Sequence, residues 1–262
     1  MHIVVTLKQV HDPNSPAELL KLGADGKSLQ TPAGVSDVAN GYDVNAVEEA
    51  IRIREKVGGS ITVISVGTDE AKAHLRRAIA MGADKAVHVS GPHGLDSDPS
   101  LVASLLAGAV RKLPQVDLVL CGRQASDTDS GQVLFRLAEH LSFGAVSPVK
   151  QVQEVTESTI TVDRLTDDGV QRLKAQFPVL LGVSNEANKP RSPSLKGVMA
   201  SKKAEVPTWS QADILEAEVS PSVVLRRVFF EPASETRAEI ISGSGSDAGR
   251  ALAERLHEEG VI

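Results

Sequence analysis

The sequence predicts an α/β fold of Rossmann-like type: a parallel sheet with helices on both faces, a small antiparallel meander and an extended C-terminal arm. Three observations predict it. Short apolar, β-branched runs alternate with helix-periodic segments through residue 141, the pattern of strand–helix–strand crossovers. These runs are apolar at successive positions, as strands buried on both faces are. Between residues 150 and 176 the pattern changes to polar–apolar alternation with a period near two, which suits antiparallel strands.

The elements follow in order. Residues 2–7 (HIVVTL) are the first strand; with no basic flank and no small-residue cleavage site, the run does not read as a signal peptide. Residues 8–39 form a long polar connection carrying Pro13, Pro16, Gly23 and Pro32, and a connection of that length is usually functional or in contact with a partner. Val44, Val47 and Ile51 recur at helical spacing, with Asp43 as the N-cap. Residues 60–66 are a strand, 69–81 an Ala-rich helix stopped by Gly82, and 85–90 a strand. A helix over 99–113 has Pro99 in its first turn. Residues 116–121 are a strand running into Gly122, and 130–141 a helix. The crossovers are right-handed by the chirality rule. Residues 159–165 and 171–176, with the less regular 150–155, form the meander, turning at 166–169 (TDDG). Residues 177–183 are apolar and return to the main sheet. Beyond 185 the chain is irregular, broken by Pro190, Pro193, Pro207 and Pro221. Residues 242–245 (SGSG) are a hinge, and 246–259 an amphipathic helix with Leu252, Leu256 and Ala253 on one face.

Composition excludes several function classes. Of 262 residues, 41% are hydrophobic and 24% charged, which is globular. The net charge is 28 − 34 = −6, so a nucleic-acid surface is not the main function. The one cysteine, Cys121, allows neither an internal disulfide nor a thiolate zinc site and suits a reducing compartment. It ends an apolar strand and reads as a small buried hydrophobe. No run approaches the ~18 apolar residues of a membrane-spanning helix. The seven histidines do not cluster, and no Ser/His/Asp set, metal motif or carboxylate pair is evident, so neither catalytic residues nor metal ligands are expected.

In open parallel sheets, ligands bind beyond the carboxyl ends of the strands, at the switch point of strand order. Three segments lie there: Thr6-Leu7-Lys8, the stretch 65–68 with Val66, and 122–132. The third is the most informative. Gly122 permits close backbone approach. Ser130, Gly131 and Gln132 open a helix whose free N–H groups suit a phosphate. The carboxylates of Asp127 and Asp129 suit a ribose hydroxyl or a helix cap. An ordinary capped strand–helix turn has the same Asp- and Ser-rich composition, so the residues alone leave both readings open. The stretch 243–249 resembles a phosphate loop only superficially and reads as hinge. The expected organisation is a nucleotide-binding domain over 1–184, including the meander at about 150–176. Residues 185–262 are an arm too poor in clustered apolar residues for a core of its own, and such an arm packs on a partner.

Residues 162–173 (VDRLTDDGVQRL), followed by 178–181 (PVLL), resemble without a gap the signature of the small (β) subunit of electron transfer flavoprotein. The blocks 40–43 (NGYD), 46–50 (AVEEA), 80–84 (AMGAD), 122–125 (GRQA) and 188–191 (NKPR) are similar to further blocks of that family. Gly182 and Leu165 depart from it, standing where a small or hydroxyl residue and an acid are usual. The resemblance implies an adenine nucleotide α-hydrolase-like sheet and a heterodimer with an α subunit that carries the redox-active FAD. It implies AMP in this chain, or a second FAD in electron-bifurcating members. The implied nucleotide site takes in Thr6, Asn40, Gly41, Tyr42, Asp43, Val66, Gly122, Arg123, Gln124 and Ala125. It continues through Ser126, Asp127, Thr128, Asp129, Ser130, Gly131, Gln132 and Val133. Tyr42 is placed near the α-subunit flavin. The form of 127–133 (DTDSGQV) is closer to the bifurcating branches than to the AMP-binding ones.

The implied partner-docking residues are Arg191, Leu195, Met199, Lys202 and Lys203, with Leu195 on a Pro-bounded loop filling an apolar pocket of a dehydrogenase. The implied function is carriage of electrons from acyl-CoA or related dehydrogenases, as in fatty-acid oxidation, to a quinone reductase or other acceptor. It is set in a bacterial cytoplasm or a mitochondrial matrix. The competing expectation from the sheet alone is a stand-alone nucleotide-binding or ATP-pyrophosphatase-like protein. The missing Gly-rich ATP loop and the long arm count against it.

Overall fold

The computed structural model describes residues 1–16, 19–30, 36–231 and 238–262; Pro32 lies outside them. The first strand, β1 (His2–Thr6), leads into the long connection, which carries two short antiparallel pairs. There β2 (Gln9–Val10) pairs with β5 (Val38–Ala39), and β3 (Lys21–Leu22) with β4 (Leu29–Gln30). Strand and helix then alternate: α1 (Gly41–Val57), β6 (Ser60–Gly67), α2 (Ala71–Met81), β7 (Lys85–Ser90), α3 (Pro99–Lys112), β8 (Leu118–Gly122) and α4 (Val133–Leu141). The meander comprises β9 (Gly144–Val155), β10 (Thr159–Thr166) and β11 (Gly169–Gln176), and β12 (Val179–Val183) returns to the main sheet. After it come α5 (Leu195–Lys203), β13 (Thr208–Trp209), α6 (Gln211–Ile214) and α7 (Gly245–Glu258).

Among the described residues, nine strands make one sheet in the order β11-β10-β9-β12-β8-β1-β6-β7-β13. The pairs from β9·β12 to β7·β13 are parallel, and β10 is antiparallel to both its neighbours. The meander is therefore continuous with the main sheet. From β1 the chain builds outward through β6 and β7 on one side, then returns to lay down β8 and β12 on the other. The order reverses between β1 and β8, where a ligand crevice is expected.

Successive residues of β1 face opposite layers, which is why the strand is apolar throughout. Ile3 and Val5 pack with Ala46, Val47 and Ile51 of α1 and Leu75 of α2. Val4 packs with Leu105 and Leu106 of α3 and Leu134 and Leu137 of α4. Each of these large side chains, fully buried, stabilises the fold by about 1.5–3 kcal/mol. At Gly182, an added Cβ would lie 2.2 Å from Ser147 Oγ, so the hydroxyl of β9 fills the space a side chain would need.

The chain forms two compact units, Met1–Val228 and Phe229–Ile262. The first runs past residue 184 because α5 packs on α2 and β13 adds to the sheet edge at β7. Three further differences from the sequence reading are physical. Leu195 begins a helix instead of sitting in a loop, because the Ser194 hydroxyl accepts the Gly197 N–H at 3.0 Å and caps the turn. Residues 130–132 precede α4 rather than forming its first turn. The first strand of the meander starts at Gly144, where it pairs with Val179. In the second unit, α7 has no buried residue and exposes Leu252, and its Arg255 pairs with Glu239, Glu258 and Glu259.

Candidate functional site

The first turn of α1 sits against the ends of β1 and β8 and ties them together. Asp43 Oδ2 accepts the Lys8 N–H at 2.8 Å and Asp43 Oδ1 accepts the Gly122 N–H at 2.9 Å. Asn40 Nδ2 donates to the Gln124 carbonyl at 2.9 Å, and Asn40 Oδ1 accepts the Ser126 N–H at 3.2 Å. Asn40, not Asp43, is the cap residue of α1, and its side chain too is spent on the β8–α4 loop. Gly122 is required by this approach: a Cβ there would stand 2.5 Å from Asp43 Oδ1 and 2.6 Å from Tyr42 Cβ.

Burial raises the carboxyl of Asp43 from 3.8 to about 6, against the lowering effect of the two N–H donors. Between those values the folded chain holds a proton that the unfolded chain has lost. Its contribution to stability is thus complete below 3.8 and is lost as the pH rises through about 6. The loss amounts to about 3 kcal/mol at neutral pH. Asp43→Asn removes this titration. Urea unfolding at about pH 4 and about pH 7 should show wild type losing stability relative to the variant by a margin of that order. An unchanged difference at the two pH values contradicts the assignment.

Beyond these ties a cavity of about 270 Å³ opens at the switch point. Thr6, Lys8, Asn40, Asp43 and Val66 line it, with Gly122, Arg123, Gln124 and Ala125. Thr128, Ser130, Gly131, Gln132 and Val133 complete that side. The other five expected residues stand beside it. Gly41 opens α1, and the Tyr42 ring lies under the Arg123 guanidinium, 5.3 Å from its centroid. Ser126 is held through its backbone by Asn40. Asp127 takes Lys8 Nζ on both oxygens at 2.8 and 2.7 Å, and Asp129 accepts Gln124 Nε2 at 2.8 Å. Both carboxylates proposed for a ribose are thus engaged within the chain.

Gln132, the cap residue of α4, caps none of the helix N–H groups with its side chain, whose Oε1 instead accepts Arg136 Nε at 3.3 Å and Nη2 at 3.0 Å. The first-turn N–H groups have no partner within the helix, and the residues 130–134 that carry or precede them border the cavity. Arg123 brings a positive charge beside them. Arg123 Nε and the hydroxyls of Ser126 and Ser97 are buried with no hydrogen-bond partner among the described residues. Part of the lining is an aliphatic wall, Leu95, Val102, Leu106, Val223 and Leu225, beside the polar His93, Ser97 and Asp98. The sequence reading missed this wall. In α3 the only signal was its apolar periodicity, and around Val223 there was none. An uncapped helix start with an arginine, and an aliphatic wall in the same cavity, are the chemistry that suits the phosphate and ring of an adenine nucleotide. The Cys121 thiol borders the cavity, but burial pushes it up to about 12, so it stays protonated.

The expected docking residues lie on and before α5. Asn188 donates to Glu49 Oε2 at 2.9 Å, and Arg191 pairs with Glu48 at 2.8 Å and with Glu55 at 2.5 Å, which fastens the segment to α1. Burial opposes ionisation of Glu48, but the bonds from Arg191 and Arg52 outweigh it and hold its carboxyl below the usual range. Arg191 is therefore an anchor of the segment. Leu195, Val198 and Met199, spaced i, i+3, i+4, are exposed on one face, Leu195 at 80%. Lys202 and Lys203 are exposed in the last turn, where the helix dipole favours cations.

Among the described residues, no group of three or more His, Cys, Asp or Glu is placed to hold a metal ion, and no helix is long and apolar enough to cross a membrane. Residues 32–214 match the family model of the electron transfer flavoprotein domain. The chain is 39% identical to the electron transfer flavoprotein subunit beta of Thermoanaerobacterium thermosaccharolyticum, covering the full length of both. It is 32% identical to the subunit beta of Bacillus subtilis, and 32% identical to the caffeyl-CoA reductase–Etf complex subunit CarD of Acetobacterium woodii, again over the whole of each chain. With this fold, this switch-point cavity and these full-length matches, the chain belongs to the electron transfer flavoprotein family, on its β-subunit side, and its role is electron transfer.

Proposed function

We propose that this chain pairs with an α subunit carrying the redox FAD, holds AMP in the cavity between β1 and β8, and docks an acyl-CoA or related dehydrogenase through α5. The observation that carries the nucleotide reading is the uncapped start of α4 with Arg123, bordering the same cavity as an aliphatic wall. When bound to the α subunit, the flavin supplies the electron-transfer chemistry. The residues of this chain bind, brace and shield. Asn40 and Asp43 fix the two strand ends that frame the cavity, and Tyr42 and Arg123 pack together at its edge. Electrons pass on to a quinone reductase or another acceptor, in a bacterial cytoplasm. The exposed apolar residues of the second unit, among them Phe229, Phe230, Ile240 and Leu252, suit an arm that packs on the α subunit.

A second reading places a second FAD in the same cavity, with an α subunit that oxidises NADH. The DTDSGQV form of 127–133 favours it, together with the full-length likeness to a subunit named for a caffeyl-CoA reductase–Etf complex. Co-expression with the α subunit, purification without added nucleotide and chromatography of the denatured complex separate the two. One FAD and one AMP per heterodimer is the expected result. Two FAD and no AMP establishes the second reading in its place.

A further inference from the structure

The segment between α6 and Val228 has neither helix nor strand, yet it is tied to the rest of the fold by hydrogen bonds along its length. Gln211 Nε2 donates to the Val219 carbonyl at 3.3 Å. Asp98 Oδ2 accepts the Ser222 N–H at 2.5 Å and the Val223 N–H at 3.4 Å. The Val228 N–H donates to the Gly26 carbonyl at 2.8 Å. In this segment Val223 and Leu225 line the cavity, and Val223 keeps 66% of its surface in solvent. A segment that is wall on one side and solvent-facing on the other is the cover of that cavity. Among the described residues no Phe, Tyr or Trp lines the cavity and His93 is the one ring in its lining, so a ring bound there is held largely by aliphatic contact and by enclosure.

We propose that residues 219–228 are the lid of the nucleotide cavity and that Asp98 is its latch. The inference rests on the reading that the cavity holds a nucleotide. Asp98 divides its carboxylate between two tasks. Oδ1 accepts the Ser100 N–H at 2.9 Å and caps α3, while Oδ2 takes the lid. Helix and lid are thereby joined through one buried side chain, and α3 contributes Val102 and Leu106 to the same wall. A nucleotide enters or leaves when Ser222 and Val223 come off Asp98.

The two oxygens make the latch separable from the cap. Asp98→Asn keeps one carbonyl oxygen for the Ser100 N–H, since asparagine caps helices well. It turns an amide NH2 towards the N–H groups of Ser222 and Val223. The test is a chase of the nucleotide retained by the purified heterodimer, AMP or FAD, by excess unlabelled nucleotide, with the melting temperature recorded in parallel. The lid predicts roughly 10-fold faster release from Asp98→Asn at an unchanged melting temperature. If that variant also melts earlier, Val223→Ser decides: it leaves the latch intact at an exposed position and should speed release several-fold by weakening the wall. Release at the wild-type rate from both variants overturns the lid while leaving the nucleotide site standing. A wild-type complex that retains neither AMP nor FAD removes the nucleotide reading and the lid with it.

Discussion

Gly122→Ala is expected to unfold the switch point and empty the cavity. The added Cβ would lie 2.5 Å from Asp43 Oδ1, 2.6 Å from Tyr42 Cβ and 2.8 Å from the Tyr42 backbone carbon. The last of these is backbone, so rotamer changes cannot relieve it. The first turn of α1 must retreat, and it takes with it the Asp43 bonds to Lys8 N and Gly122 N and the Asn40 bonds to the β8–α4 loop. Overpacking alone costs about 1–3 kcal/mol, and each buried donor left unpaired adds about as much. A loss of at least about 3 kcal/mol in denaturant unfolding of the heterodimer, with loss of bound nucleotide, is the expected outcome. Gly41→Ala is the control. It lies one helix position from Tyr42 but has nothing within 4 Å of its built Cβ, and it should leave stability in denaturant unfolding unchanged. Equal behaviour of the two variants contradicts the placement of α1.

The second large effect is functional. Leu195→Ala should slow electron transfer from the dehydrogenase by roughly 10- to 100-fold, the equivalent of one apolar side chain of about 1.5–3 kcal/mol removed from a pocket. The residue is 80% exposed, so its truncation takes nothing from the core, and heterodimer assembly and nucleotide content should be untouched. The helix that presents it is firmly seated. Ser194 caps it, Gly197 passes so close to Ala80 that a Cβ would stand 2.1 Å from the carbonyl oxygen, and Arg191 is clamped between Glu48 and Glu55. A pre-ordered helix loses little entropy on docking, which suits a weak contact with rapid exchange of partners. Unchanged kinetics in stopped-flow mixing with the dehydrogenase would rule out a docking role for this side chain.

The parts of the fold that were legible in the sequence are those set by local periodicity. β7 occupies the expected residues 85–90, α3 starts at Pro99, and the turn between β10 and β11 falls at Thr166–Gly169. The parts that were not legible depend on contacts distant in sequence. The short α6 and β13 are held by α3 and β7 and have no periodic pattern of their own. The cavity residues were legible where a strand ends, as at Thr6 and Gly122, because the switch-point rule is topological. Asp43 was misread as an N-cap because its partners, Lys8 and Gly122, lie 35 and 79 residues away. The latch at Asp98 spans 124 residues to Ser222, and no spacing rule connects them. The resemblance of residues 188–191 gave no sign of the Arg191 ion pairs, because its acidic partners Glu48 and Glu55 are supplied by α1, 143 and 136 positions earlier.

The central claim is that this chain holds an adenine nucleotide at the β1/β8 switch point, separate from the flavin of its α partner. The nucleotide content of the purified wild-type heterodimer tests it most directly. One nucleotide per heterodimer beyond the α-subunit FAD, lost in Gly122→Ala, is the expected result. A complex with one FAD and no second nucleotide, still competent in electron transfer, would contradict it.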